Sequence, residues 1–262
     1  MPPLKDRILQ RLHLAKAIWD SLRVASHPTH LIRIVVSNPV ELRGINAENV
    51  AEHGWAMPTD LSPDDKAAIL TYGGCDQSCF IFMKLLPYML GEDWQEISWY
   101  CIDPVPSRNV WVGTEQENLD NAQSEFFHSY LRLVLNDSTV FAVDFTPEQF
   151  GWPFEVMEAG KYDRKYSAPA TSPQRVDWLR EEAEMPPETF DKLLRDSLLS
   201  SVLRLCGHVK PTDDLFAGMF EQSIAKSDET QRALLEEIGQ DIRDFCQSFD
   251  KERCSVPICQ RD

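Results

Sequence analysis

Apolar residues recur at helical spacing near the start of the chain and give way to mixed patterns further on. From residue 4 to residue 24 they stand three or four positions apart, which predicts an amphipathic helix. Residues 30–37 read as a short strand, whereas residues 41–63 contain several glycines and prolines and are expected to be irregular. Ser62 should cap a second helix, because the proline that follows it suits a first helical position.

A glycine pair, Gly73-Gly74, precedes an apolar segment of helical length. The pattern predicts a helix over residues 76–90 that ends at Gly91. Pro87 should break or kink its last turn, since proline cannot donate the backbone hydrogen bond of a helix interior. Residues 96–103 then alternate as a strand does.

Two further strands are expected in the middle of the chain. Residues 104–121 read as a long connection that is polar apart from Val110-Trp111-Val112. Strands are predicted over residues 126–135 and 140–145, joined by Asn136-Asp137-Ser138. Such a short polar turn is typical of a hairpin, so the two strands should lie side by side and antiparallel.

The last third of the chain has a different character. Residues 161–174 are polar and contain prolines, and we interpret them as a linker or surface loop. Helical patterns follow over residues 190–205, 213–224 and 228–249. The order of elements predicts an α+β fold, with a core unit over residues 1–160 and a loop and helical region over residues 161–262 packed on it.

Composition and charge narrow the function classes. The 262 residues include 26 Lys and Arg against 42 Asp and Glu, a net charge of -16, which argues against nucleic-acid binding. No stretch of about 20 apolar residues could span a membrane, and the first residues do not resemble a signal peptide. The seven scattered cysteines fit free thiols in a reducing, cytoplasmic setting.

Cys75 is the strongest candidate for a reactive group. It follows the glycine pair at the start of the predicted helix, where backbone N–H groups and the positive end of the helix dipole favour a thiolate. The glycines allow a sharp turn and leave room for a substrate. Cys79, one turn further on and on nearly the same face, is the alternative nucleophile. For either residue the competing interpretation is a small core side chain.

His128 and Asp144 are candidates for the base and for the group that orients it. In a hairpin with a short turn the start of one strand comes opposite the end of the next, so these positions should be close to opposite and on one face. Asp144 lies between Val143 and Phe145 and should be enclosed, and an enclosed carboxylate needs a partner. The competing interpretations are a structural histidine and an aspartate that caps the turn before Pro147.

These motifs resemble those of the transglutaminase-like branch of the papain-like thiol enzymes. That group has a Gly-x-Cys turn, a His-x-Trp/Tyr strand and a Val-x-Asp-x-Thr-like strand in this order; the matching segments here are Gly73-Gly74-Cys75, His128-Ser129-Tyr130 and Val143-Asp144-Phe145-Thr146. The resemblance covers about residues 72–152. It implies a helix packed on a small antiparallel sheet, with Cys75 as nucleophile, His128 as general base and acid, and Asp144 as the orienting group.

The chain departs from the family pattern in two places. Cys75 and His128 are 53 residues apart (128 − 75), more than in compact members, which suggests an insertion around residues 104–123. Asp76 stands where an aromatic residue is common, and it should face solvent because an acid turned inward would oppose the thiolate. In a second register, typical of papain itself, Ser78-Cys79-Phe80 would be the nucleophile motif.

The resemblance also directs attention to an oxyanion hole, which needs a second donor beside the Cys75 backbone N–H. Related enzymes often use a tryptophan or a glutamine, and the candidates here are Trp55 and Gln77. Trp55 could equally be a core residue. The expected function is acyl transfer from an amide- or ester-bearing small molecule or peptide to water or an amine, with no metal or organic cofactor.

Two alternatives belong to other classes of protein. The first is a non-catalytic protein-binding domain on the same fold, for which the acidic helical region would be a docking surface. The second is a metal site built from Cys75, Cys79 and His128, which lacks a convincing fourth ligand.

Overall fold

Groups of helices and groups of strands follow one another along the chain. The computed structural model describes residues 4–26, 31–38, 41–46, 61–114, 127–205 and 228–254. Its helices are α1 (Leu4–Ser26), α2 (Pro63–Thr71), α3 (Cys75–Leu90), α4 (Ala159–Tyr166), α5 (Trp178–Glu184), α6 (Phe190–Leu205) and α7 (Asp228–Cys254). Its strands are β1 (Leu31–Asn38), β2 (Glu41–Asn46), β3 (Trp94–Ile102), β4 (Asn109–Thr114), β5 (His128–Leu135), β6 (Val140–Val143), β7 (Met157–Glu158) and β8 (Gln174–Arg175). The predicted α+β class is confirmed.

The larger sheet is antiparallel throughout. Its strand order is β7-β6-β5-β3-β8, so β5 is central and is hydrogen-bonded to β3 on one side and to β6 on the other. This arrangement confirms the predicted small antiparallel sheet and its hairpin. A one-turn 3-10 helix, Pro147–Phe150, follows β6 and leads the chain back toward the start of α3.

The smaller sheet corrects two expectations. Strands β1 and β2 form an antiparallel pair, and β4 adds to β2 in parallel. The prediction that residues 41–63 are irregular is therefore wrong for β2, and the prediction that residues 104–121 are a connection is wrong for β4. Strand β4 depends on its pairing with β2, a segment far away in sequence, which local patterns cannot reveal, whereas β2 also pairs with β1, from which only residues 39 and 40 separate it.

Helix α3 runs through the main hydrophobic core. Phe82 is fully buried on it and stacks on Phe145, with ring centroids 4.1 Å apart, while Trp19 of α1 meets Phe82 edge-on. Gly91 adopts a φ of 59° and a ψ of -131° immediately after the helix, a conformation that side chains other than hydrogen rarely allow. Pro87 lies within the last turn without ending the helix, and its carbonyl accepts a hydrogen bond from the Gly91 N–H.

The C-terminal helices share this core. Six buried residues of α6 and α7 belong to the same cluster as the buried faces of α1 and α3: Leu194, Leu198, Val202, Ile238, Ile242 and Cys246. The expected boundary at residue 160 falls inside α4. The linker or surface loop expected over residues 161–174 is wrong for residues 161–166, which belong to α4, and for Gln174, the first residue of β8. The helix predicted over residues 213–224 lies outside the described residues. Among the described helices, none has the length and apolar character needed to cross a membrane.

Candidate active site

The central hairpin brings His128 and Asp144 together. His128 Nε2 lies 2.7 Å from Asp144 Oδ2, and the two side chains are 0% and 2% exposed. Leu131 is opposite Val143 in the ladder, so extending the register would place Asp144 opposite Tyr130 rather than opposite His128. The prediction that positions 128 and 144 are close to opposite is therefore wrong by two residues. They share a face as diagonal neighbours, a separation that these side chains can bridge.

The Asp144 carboxylate is held by donors on both oxygens. Oδ1 accepts the backbone N–H of Thr146 at 2.9 Å, as in a turn-capping aspartate, and Oδ2 accepts the Tyr162 hydroxyl at 2.7 Å in addition to His128. Capping and pairing with histidine were separate interpretations of the sequence, and one carboxylate does both. Each donor removes part of the cost of burying the charge.

The surroundings of His128 favour its charged form. Its ring meets the edges of Phe150 and Trp152 at centroid distances of 4.6 and 5.6 Å. Burial alone would lower the pKa of His128, but the charge and hydrogen bond of Asp144 outweigh burial, and Cys75 adds to them, so that the pKa rises to about 10. Nε2 is engaged by Asp144, and Nδ1 is buried without a hydrogen bond of good geometry. Nδ1 is therefore the ring nitrogen that is available to exchange a proton with the Cys75 thiol.

The glycine turn sets the position of Cys75. Gly73 adopts a φ of 65°, which favours glycine, and a Cβ added to Gly74 would come 2.9 Å from Trp19 Cζ2. Cys75 is the first residue of α3 and its side chain is half-buried. At this position the backbone N–H has no partner within the helix, and none is found elsewhere in the described part of the chain. It is available to a substrate oxygen.

Gln149 links the carboxylate to the nucleophile turn. Its Oε1 accepts the Gly73 N–H at 3.1 Å, and its Nε2 donates to Thr146 Oγ1 at 2.9 Å. The chain after β6 is thereby fastened to the residues that precede Cys75. Sequence patterns gave no indication of this role, because a lone glutamine after a proline has no distinguishing signature.

A polar group lies beside the thiol. Asp76 is exposed, as expected, but its carboxylate does not simply face water: Oδ1 lies 3.9 Å from Cys75 Sγ and accepts a short hydrogen bond from Ser129 Oγ. Ser129 Oγ is also 3.2 Å from Cys101 Sγ. The expectation that Asp76 points away from the thiol is thus wrong in part.

Two other candidates are placed away from the thiol. Cys79 is 1% exposed within the core, and burial raises the pKa of its thiol well above the usual range, which argues against it as nucleophile. Gln77 accepts from Arg23 Nη1 at 3.1 Å and donates to Asp191 Oδ1 at 2.6 Å. Residues two apart point to nearly opposite sides of a helix, and these bonds engage the Gln77 amide, which argues against the predicted oxyanion role of Gln77 next to Cys75.

Trp55, the other oxyanion candidate, lies outside the described residues. Among the residues that are described, no group of three or more His, Cys, Asp or Glu side chains is arranged to hold a metal ion. Comparison with models of known families, with curated proteins and with solved structures finds no match for this chain.

Proposed function

We propose that this protein is a thiol enzyme that transfers acyl groups, built on a transglutaminase-like version of the papain-like fold. Cys75 is the nucleophile, His128 the general base and acid, and Asp144 the orienting group. The observation that carries the proposal is the buried His128–Asp144 pair at 2.7 Å, together with the half-buried thiol of Cys75 at a helix N-terminus, which contributes to the raised pKa of the imidazole.

In the first half-reaction the Cys75 thiolate attacks the carbonyl carbon of an amide or ester. A C–S bond forms, and the carbonyl oxygen gains the negative charge near the free N–H of Cys75. The carbonyl then re-forms as the leaving group departs with a proton from His128 Nδ1. The products are a thioester on Cys75 and a free amine or alcohol.

In the second half-reaction neutral His128 takes a proton from water or an amine as that molecule attacks the thioester. The C–S bond breaks, and the thiolate and imidazolium are restored. Asp144 keeps the imidazole oriented throughout, and its own position is fixed because its oxygens accept hydrogen bonds from His128, Tyr162 and Thr146. The proposal covers both a hydrolase and an acyltransferase, and no step calls for a metal or an organic cofactor.

Free thiols are part of the proposal. In the described part of the chain Cys75, Cys79, Cys101 and Cys246 form no disulfide, which fits work in a reducing compartment such as the cytoplasm.

The test is formation of an acyl-enzyme. The protein is mixed with a p-nitrophenyl ester, and a burst of nitrophenolate together with a thioester on Cys75 detected by mass spectrometry is expected. Cys75→Ala should abolish both, and should also abolish rapid labelling by iodoacetamide at neutral pH. Cys79→Ala and Cys101→Ala are matched controls that should keep both signals. An adduct on Cys79 alone would assign the role of nucleophile to Cys79 instead of Cys75. Absence of any adduct would favour a non-catalytic binding domain.

A further inference from the structure

Tyr162 contacts the carboxylate of the candidate site from a helix that lies after the segment resembling the thiol enzymes. It is on α4, is 1% exposed, and donates its hydroxyl to Asp144 Oδ2 at 2.7 Å. The same oxygen accepts from His128 Nε2 at 2.7 Å. One carboxylate oxygen is therefore shared between an imidazole and a phenol.

We propose that Tyr162 is a positioning residue that holds Asp144 Oδ2 and weakens its attraction for the imidazolium of His128. The proposal rests on the function proposed above, and it adds a fourth residue to the Cys75, His128 and Asp144 set. The hydrogen of the Tyr162 hydroxyl carries a partial positive charge next to Oδ2, so the potential at the imidazole is less negative than a lone carboxylate would create. The imidazolium can then release its proton to a leaving group more readily.

The phenol is suited to this role because it remains a donor. Burial, with the charge of Asp144 added, raises the pKa of Tyr162 well above the usual range, so it keeps its proton at any physiological pH. Its ring is fixed by stacking on Tyr130, with centroids 4.7 Å apart, and by an edge contact with Tyr166. A phenylalanine at position 162 would keep these ring contacts and lose only the hydrogen bond.

The neighbouring tyrosine provides a matched control. Tyr166 lies one turn further along α4 in the same buried aromatic cluster, and it makes no hydrogen bond to Asp144 or His128. Tyr166→Phe therefore removes a hydroxyl from the same cluster without changing a hydrogen bond of the His128–Asp144 pair.

The experiment follows the alkylation rate of Cys75 by iodoacetamide as a function of pH, with the adduct quantified at Cys75 by mass spectrometry. In the wild type the rate should rise in two steps, the upper one reporting deprotonation of the coupled thiolate–imidazolium pair. Tyr162→Phe should move the upper midpoint to higher pH by roughly half a unit or more, a threefold or larger change in proton affinity. Tyr166→Phe should leave the upper midpoint unchanged. In a protein that already carries Asp144→Asn, adding Tyr162→Phe should give no further shift of this midpoint.

The outcomes separate the two proposals. A wild-type profile with a single step at the ordinary cysteine pH would overturn the proposed function and this inference with it. A two-step wild-type profile that Tyr162→Phe leaves unchanged would overturn the positioning role alone. If Tyr162→Phe fails to fold, 3-fluorotyrosine placed at position 162 keeps the ring and makes a stronger donor, and the upper midpoint should then move to lower pH; no movement counts against the role.

Discussion

The carboxylate of Asp76 lies 3.9 Å from the sulfur of Cys75, on the neighbouring residue of the same helical turn. A carboxylate at this distance repels a negatively charged sulfur, while the helix N-terminus and the imidazolium of His128 attract it. The Ser129 hydroxyl, which donates to the same carboxylate oxygen, disperses part of that charge.

Replacing Asp76 by Asn should increase the reactivity of Cys75, because the opposing charge is removed. We expect the rate of Cys75 alkylation by iodoacetamide at pH 6–7 to rise by roughly threefold to tenfold. Asp137→Asn is the matched control: Asp137 is an exposed turn residue at the far end of β5, and the asparagine can keep its bond to the Thr139 N–H. Equal acceleration in both variants would assign the effect to net charge rather than to Asp76.

Replacing Asp144 by Asn should change how stability depends on pH. The folded-state pKa of His128, about 10, lies above its ordinary value of 6.5, so this group stabilises the fold fully below about pH 6.5 and loses its contribution as pH rises toward 10. In Asp144→Asn burial dominates and lowers the pKa of His128, so the slope reverses and acid becomes destabilising.

The measurement is urea unfolding of both proteins at a series of pH values. The stability advantage of the wild type should shrink by at least about 1 kcal/mol between pH 6.5 and 10. Asp137→Asn should follow the wild-type curve over this range. An advantage that stayed constant would mean that the pair does not carry the charge inferred for it.

Replacing Gln149 by Ala should loosen the turn that presents Cys75. The variant leaves the Gly73 N–H without a partner and removes the Gln149 donor from the Thr146 hydroxyl, which keeps only its bond to Asp144 Oδ1; the loss should cost about 1–3 kcal/mol of unfolding free energy. Alkylation of Cys75 should also slow, since the turn is no longer fastened beside the His128–Asp144 pair. Gln95→Ala, which removes an exposed bond to the Asn136 carbonyl, should change neither the stability by more than about 0.5 kcal/mol nor the labelling rate.

Replacing Gly74 by Ala should destabilise the protein because the new Cβ has no room. It would lie 2.9 Å from the Trp19 ring and 3.2 Å from the Thr71 carbonyl oxygen, and a backbone atom cannot step aside. We expect a loss of about 1–3 kcal/mol in thermal or urea unfolding. Gly160→Ala is the comparison, since its nearest neighbour is the mobile end of Arg164 at 3.6 Å. A neutral Gly74→Ala would show that the turn can shift away from Trp19.

Local sequence patterns were sufficient to predict the elements that depend on a single segment of the chain. Ser62 accepts the Asp65 N–H as a cap, α3 ends at Gly91, and the 136–138 turn joins β5 to β6. The pairing of His128 with Asp144 could also be predicted, because the alternation of side chains along the hairpin determines which of them share a face.

The features that sequence reasoning missed depend on contacts between distant segments. Tyr162 and Gln149 reach the site from a helix and a turn whose composition reads as an ordinary polar surface. The direction of Gln77 was predictable from helix geometry, because a residue two positions from Cys75 points to the opposite side. The parallel addition of β4 to β2 required tertiary information.

Arg23 and Asp191 show how far the chain must extend to support the thiol. Burial lowers the pKa of Arg23 to about 10 in spite of the charge of Asp191, and Gln77 of the Cys75 helix bonds to both residues. A shortened protein that stopped before α6 would take Asp191 away from Arg23 and Gln77 and uncover the apolar side of the Cys75 helix. The smallest unit that keeps this helix covered therefore has to include α6, which begins 47 residues beyond the last residue of β6 (190 − 143).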